Sequence, residues 1–229
     1  MKLSLLEILS NVLSCSMSTT SHASIADAYL YHLLEHGKAP ASVYRFCKDL
    51  EITEKEFYGH AASFKALEGG IWKSLFDDTH VALEQDEEYA NYPVRQKLAA
   101  FYYTFLEVAL SHRSFMELRF AGFPKGLACP SLNHFREAFE GYIKGLVNEG
   151  RESGEVANRG KLSDAYPKAF FAQWVFIADF WLKDESDQFS RTDALIEKSV
   201  ALALDTVGSQ VIDSAVDMMR FLVGRNTKL

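Results

Sequence analysis

A chain of 229 residues that is 48% hydrophobic and 24% charged can fill one large core, or a small domain beside a larger one, and its composition excludes a long disordered tail. Its net charge of −7 excludes a global basic field, so any contact with nucleic acid or anionic lipid has to be local. The three cysteines, Cys15, Cys47 and Cys129, are odd in number and far apart with no C-x-x-C pair, which excludes a disulfide framework and a zinc ribbon and implies a reducing, cytoplasmic setting.

Residues 1–23 read as an N-terminal extension. Lys2 and the apolar run from Leu3 to Leu13, followed by Ser14-Cys15, imitate a lipoprotein signal peptide, but Glu7 and Asn11 interrupt the run. Leu3, Leu6, Leu9 and Leu13 share a helical face, the pattern of a short amphipathic helix docked on the body. Nowhere does the chain approach the roughly 18 uninterrupted apolar residues of a membrane span.

From Ser24 onward the periodicity is helical, and no alternating run bounded by Asn-Gly or Asp-Gly argues for a sheet; the predicted class is all-α. Ser24 is placed to cap a helix with Ile25, Tyr29, Leu30 and Leu33 on one face, ending at Gly37. Residues 42–50 predict a second helix with Val43, Phe46, Cys47 and Leu50 inward. Glu51-Ile52 then makes a tight connection and Thr53 caps a third helix. Two short helices so joined are a helix-turn-helix. A longer helix is predicted over 63–82, with Ala66, Leu67, Ile71, Leu75 and Val81 on its buried face, followed by a solvated hinge at Asp86-Glu87-Glu88. Further segments are predicted over 94–120, 130–152, 163–183 and 190–223, separated by Gly- and Pro-bearing turns.

Within residues 25–72, the helix ending in His36-Gly37, the helix holding Val43 and Leu50, Ile52-Thr53, and Phe57-Tyr58-Gly59-His60-Ala61-Ala62-Ser63-Phe64-Lys65-Ala66-Leu67 keep a recognisable relative spacing. This stretch, about a fifth of the chain, resembles the DNA-binding domain of TetR-type regulators. The resemblance implies a three-helix reading domain over 24–72 and a larger helical domain over 73–229 that binds a ligand and forms a homodimer. It also implies DNA contacts from Thr53, Glu54, Lys55, Tyr58, His60 and Lys65. The first turn of the second helix meets base edges and phosphates in such domains. Here that turn is Glu54-Lys55-Glu56, where the family carries small, hydroxyl or basic residues; Ala61-Ala62 replaces a Phe-Pro, and Phe64 stands where a lysine is expected. Five lysines and arginines face seven acids over residues 24–72, a net −2, so DNA is a partner with weakened phosphate anchoring. The alternative is a lipid- or isoprenoid-binding accessory protein that kept the TetR-like fold and lost DNA, resembling in outline the accessory proteins of ubiquinone biosynthesis.

His32-Leu33-Leu34-Glu35-His36 spells H-x-x-E-H, the spacing with which two histidines hold zinc and a glutamate activates water. A third ligand and a cleft would be needed. Solvent-facing histidines favoured by the helix C-terminus account for the pattern, and no metal is expected. No G-x-S-x-G, G-x-G-x-x-G or Walker motif occurs, so no catalytic residue, no cofactor and no enzyme activity are expected.

Aromatic residues are 13% of the chain and recur every three or four positions: Phe101, Tyr102, Phe105, Phe115, Phe120, Phe135, Phe139, Tyr142, Phe170, Trp174 and Trp181. Such rings build a core or line an apolar tunnel. Joined to the resemblance, they place an apolar small-molecule or lipid effector against Phe101, Phe105, Phe120, Phe139, Phe170, Trp174 and Ile177. Residues 170–181 are apolar nearly all round and need cover on two sides. Phe180, Trp181, Val200, Leu204 and Val207 are therefore the expected dimer interface.

Overall fold

The computed structural model describes residues 22–157 and 160–208. The helix expected over Leu3–Leu13 and the segment from 209 to 223 lie outside the described residues. Among the described residues there are nine α-helices, a few one-turn helices and no strand. The chain divides into two compact units, Met1–Phe64 and Lys65–Leu229.

The first unit contains α1 (His22–His36), α2 (Val43–Asp49) and α3 (Glu54–His60). The first helix already starts at His22, so Ser24 lies inside it rather than capping it. It ends at Gly37, whose φ of 66° is a left-handed conformation and whose N–H donates to the Leu33 carbonyl at 2.8 Å. Two helices of seven residues are too short to persist alone. Each is started by its own cap: the Ser42 hydroxyl accepts from the Arg45 N–H, and Thr53 and Glu56 form a reciprocal capping box. Glu51, at φ 57°, makes the tight joint between them. A small ring cluster supplies the rest of the stability. Phe46 and Phe57 are buried edge to face, and Phe64 stacks on Tyr29 at 5.4 Å while meeting Phe46 and Phe57 edge-on at the same distance. Thus Phe64, which departs from the family's lysine, serves packing.

The second unit comprises α4 (Phe64–Glu84, from Lys65), α5 (Val94–Leu110), α6 (Arg113–Arg119), α7 (Asn133–Ser153), α8 (Tyr166–Leu182) and α9 (Ser190–Gly208). The single segment expected over 94–120 is two helices. Between them the Ser111 hydroxyl donates to the Val108 carbonyl at 3.0 Å and sits 2.9 Å from His112 Nδ1, a local alternative to the helical ladder. Ala66 and Val81, expected inside, are exposed. The acidic run is solvated but tied: Asp86 accepts from the Glu88 N–H at 3.0 Å and the Tyr92 hydroxyl at 2.9 Å, so it is a fixed turn and not a loose hinge.

Helices α7 and α8 pack together, and α9 lies along both α5 and α8. Rings fill the space between them. Trp174, 1% exposed, has Phe135 at 4.1 Å, Phe105 at 5.2 Å, Phe171 at 5.8 Å and Phe120 at 5.9 Å. At one edge of the cluster Lys97 is buried and paired with Glu149. Beside it the Tyr142 hydroxyl donates to the Lys97 carbonyl at 3.2 Å, so Tyr89 donates to Tyr142 at 2.7 Å. Burial, and then the neighbouring Tyr89 hydroxyl, push the Tyr142 phenol far above its ordinary range, which keeps this network neutral.

Candidate nucleic-acid interface and effector site

On the exposed side of the first unit, α3 presents Glu54, Lys55 and Tyr58 to solvent, while Phe57 anchors the helix inside. The Thr53 hydroxyl is already engaged. It accepts from the Glu56 N–H at 3.2 Å and donates to the Glu56 carboxylate at 2.8 Å, and the Thr53 N–H donates to the same carboxylate at 2.7 Å. These hydrogen bonds hold the Glu56 carboxyl below its ordinary range. Glu56 is therefore a fixed part of the helix N-terminus, where the macrodipole favours its charge. Glu54 is the other exposed carboxylate of that turn. His60 is half-buried at the end of α3, and Lys65 is exposed on the first turn of α4, in the second unit.

Sequence reasoning passed over a second surface of the same unit. His32, His36, Lys38 and Arg45 line one groove together with Asp49, and Tyr44 is exposed on the first turn of α2. The His32 and His36 rings meet edge to face at 4.4 Å. Burial, followed by the positive charge of His36, lowers the His32 pKa, so the expectation of two freely solvated histidines holds for His36 alone. Among the described residues no three His, Cys, Asp or Glu side chains are grouped to hold a metal ion. The signal for this groove was available in the Ser42 cap, which fixes Arg45 at the start of α2 and so opposite the end of α1.

The seven residues expected to meet an effector are all buried in the second unit. Phe101 meets Phe139 at 5.3 Å, Phe105 and Phe120 meet Trp174, and Phe170 and Ile177 lie on the same helix as Trp174. They come together as closely packed rings. Within this cluster the Trp174 Nε1–H is buried with no hydrogen-bond partner among the described residues. The same is true of the Nε2 amide of the adjacent, half-buried Gln173, whose Oε1 accepts from the Tyr102 hydroxyl at 3.2 Å. An unmet buried donor costs about 1–3 kcal/mol.

The expected dimer residues divide differently. Trp181, Val200 and Leu204 are covered within their own chain, at 1%, 2% and 7% exposure, and cannot present a surface to a partner without unpacking. Phe180 is half-exposed, and the side chain of Val207 lies outside the described residues. On α8 and α9 the outward apolar side chains are instead Phe176 and Leu202. Cover for the second side of α8 comes from α9 of the same chain.

Residues 97–222 match the tetracyclin repressor-like C-terminal domain. The match spans more than half of the chain. The chain belongs to that family. A comparison with curated proteins gives no match. In this tetracyclin repressor-like protein the matched region contains most of the Trp174 ring cluster, whereas the helix-turn-helix unit lies wholly before it. No helix among the described residues is long and apolar enough to cross a membrane.

Proposed function

We propose that this tetracyclin repressor-like protein is a homodimeric transcriptional regulator that reads DNA with α3 and binds an apolar, acceptor-bearing effector at the Trp174 cluster. The observation that carries the proposal is the two-capped helix-turn-helix, α2 and α3 joined at left-handed Glu51, in the same chain as the matched C-terminal domain. The capping box ties Glu56 to the helix N-terminus, and Lys55 and Tyr58 stand beside it and the other exposed acid of the turn, Glu54. The dimer surface on α8 and α9 is formed by Phe176, Phe180 and Leu202. An effector that inserts among tightly packed rings has to repack them. It therefore acts as a switch only by preferring one of two dimer geometries.

The net −2 charge of residues 24–72 favours a second reading, in which the same fold holds a lipid or isoprenoid and does not bind DNA. Titration of the full chain against random duplex at low and physiological salt separates the two. Binding that weakens with salt, and weakens uniformly across sequences in Lys55→Ala, supports the regulator. Absence of binding at low salt, with lipid co-purifying, supports the second reading. Light scattering checks the dimer: Leu202→Glu yields monomers if the surface is assigned correctly, and an unchanged dimer mass in both Leu202→Glu and Phe176→Glu places it elsewhere.

A further inference from the structure

A groove of about 440 Å³ lies where the C-terminal half of α5 meets the end of α8 and the start of α9, and none of the seven residues expected to meet an effector lines it. That volume is within the ordinary range for small-molecule sites, about 300–1,000 Å³. Its apolar walls are Leu106 and Leu110 from α5 and the rings of Trp181 and Phe189. Its charged residues are Glu107 and Asp193, both exposed, and none of the residues lining it is basic. Tyr103, also on the wall, donates its hydroxyl proton to Glu197 at 3.0 Å, which leaves only lone pairs for a ligand. Burial, and then Glu197 and Asp193, hold that phenol above its usual range, as a negative local field requires.

The groove is held open by fixed structure. Gln188 and Phe189 are successive non-glycine residues in left-handed backbone, at φ 49° and 56°, a conformation that persists only where the surroundings enforce it. Asp184 provides that enforcement. Its buried carboxylate accepts from the Ser186 N–H at 2.9 Å, the Thr192 N–H at 2.9 Å and the Thr192 hydroxyl at 2.6 Å, locking the connection between α8 and α9. The Arg113 guanidinium lies 4.9 Å from both the Trp181 and Phe189 rings. Its charge is met by Glu117 at 3.0 Å and by the Leu182 carbonyl at 3.0 Å, so it fixes the two rings without turning the groove positive. Asp193 sits in the first turn of α9, at the positive end of the helix dipole.

Apolar walls flanked by two carboxylates, with no basic residue in the lining, are the complement of one ligand class. We propose that this groove binds an organic cation, an alkyl- or arylammonium compound whose hydrocarbon body lies on Leu106, Leu110 and Phe189 and whose ammonium group lies beside Glu107 and Asp193. Anions are repelled by both acids, and a neutral hydrocarbon gains only the apolar wall.

The test is calorimetric titration of the full chain with 3-phenylpropyltrimethylammonium and with its neutral carbon isostere, in which a tert-butyl group replaces the trimethylammonium. The cation binds at least about tenfold more tightly than the isostere, from charge attraction to Glu107 and Asp193. The double variant Glu107→Gln, Asp193→Asn, two exposed changes of matched shape, lowers the cation's affinity to that of the isostere without moving the melting temperature. Leu110→Lys, also exposed, weakens the cation more than the isostere, since both lose the apolar wall and only the cation meets a like charge. Equal affinity for the two probes, cation binding unchanged in the double variant, or no saturable heat at millimolar cation overturns the proposal. Binding at the Trp174 cluster would not respond to Glu107 and Asp193, so this result is independent of the effector reading.

Discussion

The two units of this protein are stabilised on different length scales. In the first, short helices are positioned by contacts three or four residues apart: Ser42 with Arg45, Thr53 with Glu56, Leu33 with Gly37. In the second, rings drawn from α5, α7 and α8 converge on Trp174 across tens of residues of chain. The first unit therefore depends on individual capping groups beside its small ring cluster, and the second on packing volume, which leads to separable responses to mutation.

The largest effect belongs to the ring cluster. Trp174→Ala removes its centre and costs about 3–5 kcal/mol, read as a lowered denaturant midpoint for the second unit. A loss under about 1 kcal/mol would mean that the neighbouring rings collapse into the space and that packing volume does not govern this unit. Thr53→Ala acts on the other scale. It removes the hydroxyl side of the capping box and keeps the backbone N–H that donates to Glu56, so the α3 amides lose about 1 kcal/mol of hydrogen-exchange protection while those of α8 are unchanged. Equal losses in both units would show that the chain unfolds as one body.

That division of scales also decides what could be read before the fold was seen. The Thr53 cap, the Gly37 stop and the tight joint at Glu51 were legible because each is written in residues adjacent in sequence. The break at Ser111-His112 was not: no glycine or proline marks it, and helical spacing continues through it into Phe115. Phe64 looked like a lost phosphate anchor because its stacking on Tyr29 spans most of the unit. The seven residues expected to meet an effector are buried in one unit, as the spacing of apolar positions along their helices implies. Spacing carries no information on whether rings enclose a tunnel or close on one another. For the same reason Trp181, Val200 and Leu204 were assigned to a partner. An all-round apolar helix demands cover on two sides without saying which chain supplies it.

Smaller effects sharpen the contrast in the first unit. With the His32 pKa lowered in the folded state, the folded unit binds fewer protons than the unfolded chain once pH falls below the unperturbed value of 6.5. His32 therefore contributes nothing to the pH dependence above 6.5 and destabilises the unit progressively below it. Protection factors of the α1 and α2 amides, corrected for intrinsic exchange, fall on acidification in the wild type and fall less in His32→Gln. Identical profiles would remove His32 as the cause. On α3, Glu54→Lys steepens the salt dependence of duplex binding by about one counterion, whereas Glu56→Gln, which keeps most of the capping box, alters the slope less. A larger change from Glu56→Gln would mean that the capped carboxylate faces the phosphates after all.

The most direct test of the central claim, that the first unit is a working DNA reader in a two-fold assembly, is selection of bound duplexes from a random-sequence library by the full-length protein at low salt. The proposal predicts recovery of a palindromic site whose half-sites are spaced by about one helical repeat, because only two functional reading heads held by a dimer impose that symmetry. Recovery of no enriched sequence by a protein that is dimeric and folded would contradict it.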